Sequence, residues 1–186
     1  MTREQLEHLI RACAEITNQY EFVIVGSQSI LGQVPNPPAA FTVSNEADIY
    51  PLAAPELWDV IDGAIGEGSP FQNTHGYYAQ GVSPNTAVLP DDWMTRAHRI
   101  QNENTDLKIG WCLDTRDLFL AKAVAGRLPK DREFCFGLLE HRYVAPSTVL
   151  PLIDRMPLDD DEKNGLRKTV VRWVKALRGK GVEFPD

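Results

Sequence analysis

Residues 22–27 read Phe-Val-Ile-Val-Gly-Ser. A β-branched apolar run halted by a glycine predicts a short buried strand that ends in a tight turn. Ser27 is placed to cap the next turn, and Ser29 to Leu31 suit a short helix before Gly32, Pro35, Pro37 and Pro38 impose an irregular loop. Upstream, Thr2 and Gln5 have the spacing of a reciprocal capping box. Leu6, Leu9, Ile10, Cys13 and Ile16 then recur at helical period. Downstream, Thr42 and Val43 re-enter extended structure. Glu46, Ala47, Asp48, Ile49 and Tyr50 alternate acid with apolar, so both carboxylates point to one face of a strand that Pro51 closes.

Pro55 suits a first helical turn, with Leu57, Trp58, Val60, Ile61 and Ala64 as its apolar stripe and Gly66 to Pro70 as its breaker. Further short strands are expected at 77–81, 86–89, 98–100 and 108–113, with turns at 83–85 and 102–105. The expectation is an α/β (α+β) chain with a mixed sheet of about five strands flanked by helices. After Asp114 helical periods take over. The final helix is opened by the acidic run Asp159 to Glu162 and carries a core stripe of Leu166, Val170, Trp173 and Leu177. Residues 1–114 therefore form the α/β core, and 115–186 a helical region expected to pack on it as one unit.

The chain has 186 residues, 43% of them hydrophobic, enough for one well-packed core. No run approaches the roughly 18 apolar residues of a membrane span, and the N-terminal pattern is amphipathic and acidic, so the expected location is cytoplasmic. A net charge of −7 excludes a protein that coats nucleic acid by general electrostatics, while a local basic site is still allowed. Cys13, Cys112 and Cys135 lie far apart in apolar surroundings and predict buried thiols rather than disulfides or zinc. The histidines, His8, His75, His98 and His141, never fall at ligand spacing.

A Gly-Ser turn at the end of a buried strand offers backbone N–H groups and a small hydroxyl to a phosphate. Glu46 and Asp48, two residues apart on one face, are candidate Mg²⁺ ligands, because like charges side by side call for a cation. The plainer alternative is a simple turn at Gly26 beside an edge strand whose acids face water. Lys122 is either a stem-packed surface lysine or a phosphate ligand. Arg127, Lys130 and Asp131 suit a helix-to-helix connection in which Asp131 caps the next helix. The basic residues of the last helix, from Lys163 to Arg178, can meet RNA phosphates or simply face water. Tyr77 and Tyr78 are either core or a surface for stacking a base.

Read together, VIVGSQSILG (23–32), SNEADIYP (44–51) and DLFLAKAVAGRLPKD (117–131) resemble the nucleotidyltransferase-like proteins of abortive-infection and toxin–antitoxin systems, the AbiEii-like group. The resemblance covers about residues 20 to 142 and implies the DNA polymerase β nucleotidyltransferase fold. It implies that Gly26 and Ser27 contact the phosphates of an NTP, that Glu46 and Asp48 hold Mg²⁺, and that Lys122 approaches the triphosphate, with Asp48 and Lys122 as the catalytic pair. Arg127 and Lys130 join the nucleotide-binding set, and Asp131 completes the later motif. The implied activity is transfer of NMP to RNA, particularly a tRNA end, or to a protein hydroxyl, in a toxin-like component that a cognate antitoxin restrains.

The chain departs from that pattern in four places. No acid occurs between Tyr77 and Leu89, where a third strand carboxylate belongs; Glu46 stands where Asp is commoner; Phe134 replaces a further acid; and the span from Ser27 to Glu46 is long. These departures support a second reading, a protein of the same fold that binds a nucleotide or a partner without chemistry. A third is an interaction domain in which turn and acids are incidental.

Overall fold

In a computed structural model, which describes residues 1–184, the Thr2 hydroxyl accepts from the Gln5 N–H and the Gln5 amide oxygen accepts from the Thr2 N–H. This reciprocal cap opens α1 (Arg3–Thr17), whose Leu6, Leu9, Ile10 and Cys13 are fully buried. The chain then enters β1 (Glu21–Val25), turns through Ser27–Ser29 into the short α2 (Ile30–Gln33), and forms β2 (Glu46–Pro51). After α3 (Trp58–Ile65) and α4 (Pro70–His75) come β3 (Tyr78–Gly81), β4 (His98–Ile100) and β5 (Ile109–Cys112).

The strands form one mixed sheet in the order β3-β2-β1-β5-β4, flanked by helices, an α+β arrangement. β1 runs antiparallel to β2 and parallel to β5. β2 and β3 are parallel, and β4 and β5 antiparallel. With neighbours on both sides, β1 buries Phe22 to Val25, as its uninterrupted apolar run requires.

Glycines set how closely the helices approach. A Cβ on Gly110 would lie 2.5 Å from Cδ1 of Ile10, and one on Gly32 2.3 Å from Cβ of Cys112. Residues 110 and 112 share a face, so α1 and α2 cover the same side of the sheet. In register, Ile24, Ile49 and Gly81 form one row. A Cβ on Gly81 would lie 1.8 Å from the Trp58 carbonyl oxygen, which fixes α3 on that side as well. The opposite parity carries Val23, Val25, Glu46, Asp48, Tyr78 and Gln80.

By contact, the chain divides into two units, Met1–Thr86 with Arg96–Asp114, and Ala87–Thr95 with the residues from Thr115 onward. The second contains α5 (Thr115–Ala125), α6 (Lys130–Glu140), α7 (Pro146–Val149), a 3-10 stretch over Leu150–Arg155, and α8 (Asp160–Arg178). Asp159 and Glu162 make a second reciprocal cap at the start of α8. Its Leu166, Val170, Trp173 and Leu177 are buried, with Trp173 edge-on to Phe119 and Phe136.

Three local expectations need correction. Residues 86–89 form no strand: they follow a 3-10 turn at Pro84–Thr86, and Asp91 beyond them donates its N–H to the Arg155 carbonyl at 3.0 Å. Of the α3 stripe only Ile61 is buried, together with Ile65. Trp58, Val60 and Ala64 are exposed, because α3 meets β3 through its own backbone at Trp58 and Asp62. The breaker at Gly66 to Pro70 also starts α4, capped by Ser69 with Pro70 in the first turn. The three thiols are buried, and burial pushes each of their pKa values up. Among the described residues no helix is long and apolar enough to cross a membrane.

Gly81→Ala is expected to lower stability by about 1–3 kcal/mol, since its new methyl meets a backbone carbonyl rather than a flexible side chain. Urea unfolding of the two proteins measures it.

Candidate functional site

The turn after β1 is held by Gly26, whose φ of 67° and ψ of −169° place it in a region essentially reserved for glycine. The antiparallel register sets Val25 opposite Asp48. One consequence is the close approach of a carboxylate to the next residue: a Cβ on Gly26 would lie 1.8 Å from Oδ2 of Asp48. The glycine is required both by its dihedrals and by the acid packed against it.

Ser27, Gln28 and Ser29 form the following 3-10 turn and are all buried. Ser27 does not cap it. The turn begins at Gly26, which has no side chain to donate or accept, and the hydroxyl that closes the turn is that of Ser29, donating to the Gly26 carbonyl at 2.9 Å. Gln28 donates from Nε2 to the Phe41 carbonyl at 3.3 Å, while its Oε1 is buried without a hydrogen bond.

Glu46 and Asp48 share the sheet face opposite the helices, next to Tyr78 and Gln80 of β3, their partners in register. The Tyr78 hydroxyl donates to Oε2 of Glu46 at 3.0 Å. Burial, then this hydrogen bond and the negative charges of Glu46, Glu67 and Asp48, push the Tyr78 phenol up to about 12, so it keeps its proton as a donor to Glu46. Sequence reasoning missed this role, because only the register of β3 on β2 puts Tyr78, and not Tyr77, on the acid face. Tyr77 belongs to another group: its hydroxyl lies 2.7 Å from Nδ1 of His8, in a cluster with Phe71 and His75.

The residue beside Asp48 on β3 is Gln80, whose Nε2 donates to Oδ1 of Asp62 at 2.5 Å. An amide, and not a carboxylate, thus stands beside Asp48 on the neighbouring strand. Among the described residues no group of three or more His, Cys, Asp or Glu is arranged to hold a metal. Asp48 is the carboxylate beside Gly26, and Glu46 lies two residues before it on the same sheet face.

The later motif falls in the second unit. Asp131, in the first turn of α6, has no exposed surface. It accepts at Oδ2 from both the backbone N–H (3.1 Å) and the Nε (3.0 Å) of Arg127. Its Oδ1 pairs with Nζ of Lys122 at 3.2 Å. Lys122 is therefore no surface lysine: it is buried, ion-paired, and 5.4 Å from the centre of the Phe134 ring. Burial alone would raise the Asp131 pKa, but the Arg127 hydrogen bond and the Lys122 charge outweigh it and hold the carboxyl below its ordinary value. Asp131 is not the helix cap; it binds the α5–α6 connection from inside the next helix. Arg127 and Lys130 are exposed.

Residues 4–172 match the model of a family described as nucleotidyltransferase of unknown function (DUF6036), and the chain belongs to that family. No curated protein and no solved structure gives a match.

Asp131→Asn leaves the Lys122 ammonium buried without its countercharge, and is expected to cost about 3–5 kcal/mol in thermal or urea unfolding. The folded pKa of Asp131 is lowered, so its contribution is present above the ordinary value of 3.8 and is lost as pH falls through the folded value. The difference in stability between wild type and variant should therefore shrink below pH ~4.

Proposed function

We propose that Gly26, Ser27, Glu46 and Asp48 form a nucleoside-triphosphate site at which Glu46 and Asp48 hold Mg²⁺. The observation that carries this reading is the Asp48 carboxylate seated on the Cα of Gly26, with Glu46 on the same sheet face. Two neighbouring carboxylates repel each other unless a cation joins them, and a phosphate brought to the Gly26 turn adds its own oxygens to the ion's ligands. Their hard oxygen donors fit Mg²⁺, which keeps several waters and takes one or two protein carboxylates together with substrate phosphates. Bound there, the ion supplies charge neutralisation of the triphosphate and lowers the pKa of an acceptor hydroxyl.

The remaining steps belong to the chain. Backbone N–H groups of Ser27 and Gln28 hold phosphate oxygens, and Tyr78 fixes the orientation of Glu46 by its hydrogen bond. Lys122, oriented by Asp131, and the exposed Arg127 and Lys130 are the residues that the AbiEii-like resemblance assigns to the triphosphate. The acceptor hydroxyl releases its proton to solvent, and its oxygen bonds to the α-phosphorus as the bond to pyrophosphate breaks. In line with the AbiEii-like resemblance, the acceptor is RNA, a tRNA end foremost, or a protein hydroxyl, and the protein acts in the bacterial cytoplasm as a toxin-like component with a cognate antitoxin.

Gln80 beside Asp48 favours a second reading, nucleotide binding without transfer, because the side chain next to the acid pair cannot take a proton from the acceptor.

The test is incubation with each labelled NTP, Mg²⁺ and total RNA or protein, for wild type and Asp48→Ala. Transfer by wild type that falls at least about 100-fold in the variant is the expected result. Mg²⁺-dependent NTP binding without transfer establishes the second reading, and absence of both overturns the site.

A further inference from the structure

A second place suited to a ligand lies wholly within the helical unit. Between α5, α6 and α8 there is a cavity of about 600 Å³, within the range of small-molecule sites. Its apolar side includes Phe136, Trp173 and the exposed Leu128. Its charged side is formed by Arg132 of α6, Arg172 of α8 and Lys180 just beyond α8, and among the described residues no acid lines it.

Beyond Arg172, Lys168 and Lys175, the cations of α8 have contacts elsewhere in the fold. Arg167 pairs with Asp154 and donates to the Leu150 carbonyl, Lys163 donates to the Asp154 carbonyl, and Arg178 lies over the Phe184 ring. Arg132 and Arg172 have no carboxylate partner among the described residues. Lys180 sits with Nζ 5.9 Å from the centre of the Phe136 ring, covering an aromatic face with a cation.

Three positive charges from two helices and a tail meeting at one cavity exceed what a single carboxylate needs. Two guanidinium groups suit the oxygens of a phosphate, and an aromatic wall suits a flat heterocycle. The size of the cavity fits one such molecule rather than a helix laid along a groove.

We propose that this cavity is a nucleotide site, with the base against Phe136 and Trp173 and the phosphates on Arg132, Arg172 and Lys180. A base entering against Phe136 displaces the Lys180 ammonium from the ring and leaves it beside the phosphates. The site needs no divalent cation, which separates it from the carboxylate pair of the sheet. Its ligand is a free nucleotide or the terminal nucleotide of a single-stranded RNA.

The test is calorimetric titration of the full chain with AMP, ATP, inorganic phosphate and a five-nucleotide RNA, all in EDTA so that metal-dependent binding is silent. Wild type and Asp48→Ala should bind AMP and ATP alike, ATP more tightly. Arg132→Glu/Arg172→Glu should weaken both at least tenfold, and Ala176→Trp, which fills the cavity from an exposed lining position, should abolish binding. RNA that competes with AMP supports the site with a strand end as its ligand; RNA that does not, while AMP binds, supports it with a free nucleotide. The proposal is overturned by any of four results: no AMP binding by wild type, binding unchanged in both cavity variants, loss in Asp48→Ala, or equal displacement by inorganic phosphate. An acidic tryptophan-containing peptide held more tightly than AMP also overturns it and assigns the cavity to a protein partner.

Discussion

The pairing of Val25 with Asp48 across β1 and β2 is the constraint around which the first unit is arranged. It brings a carboxylate against the residue that follows β1, and only a residue without a Cβ can stand there. The same position has a positive φ, so the turn and the acid impose one requirement twice. From that register come the shared face of Glu46 and Asp48, the placement of Tyr78 beside Glu46, and the row of Ile24, Ile49 and Gly81 beneath the helices. A slip of one residue would turn both acids into the apolar layer, which the burial of Ala47 and Ile49 forbids.

The helical unit is organised by a different kind of contact, a buried charge pair. Lys122 and Asp131 lock α5 to α6, and Arg127 ties the connection between them to the same carboxylate. Removing one partner from such a pair costs far more than the pair itself contributes, so the motif is structurally constrained whatever its chemistry. That constraint also fixes an ammonium in one orientation, which is what a group meeting a triphosphate requires.

Much of this was legible in the sequence because the informative signals were local. The capping box at Thr2, the acidic run from Asp159, the apolar run before Gly26 and the acid alternation after Asn45 each specify their element with few competitors. The α8 stripe at Leu166, Val170, Trp173 and Leu177 is likewise a pattern that one helix face imposes. The features left open by the sequence depended on tertiary partners. Trp58 and Val60 look like core until Gly81 brings the α3 backbone onto β3. The segment at 86–89 looks like a strand until its continuation pairs with Arg155. Tyr78 is one of two adjacent tyrosines, and only the sheet register separates its role from that of Tyr77. The depth at which Lys122 is buried depends on α6, and no pattern within α5 encodes it.

The central claim is that Glu46 and Asp48 act together as a cation site at the Gly26 turn. Electron paramagnetic resonance of Mn²⁺ added with a non-hydrolysable NTP analogue tests it most directly. The account predicts a bound-ion signal in wild type, broadened by phosphorus coupling, that disappears in Asp48→Asn and weakens in Glu46→Gln. A signal of the same strength in all three proteins would contradict it.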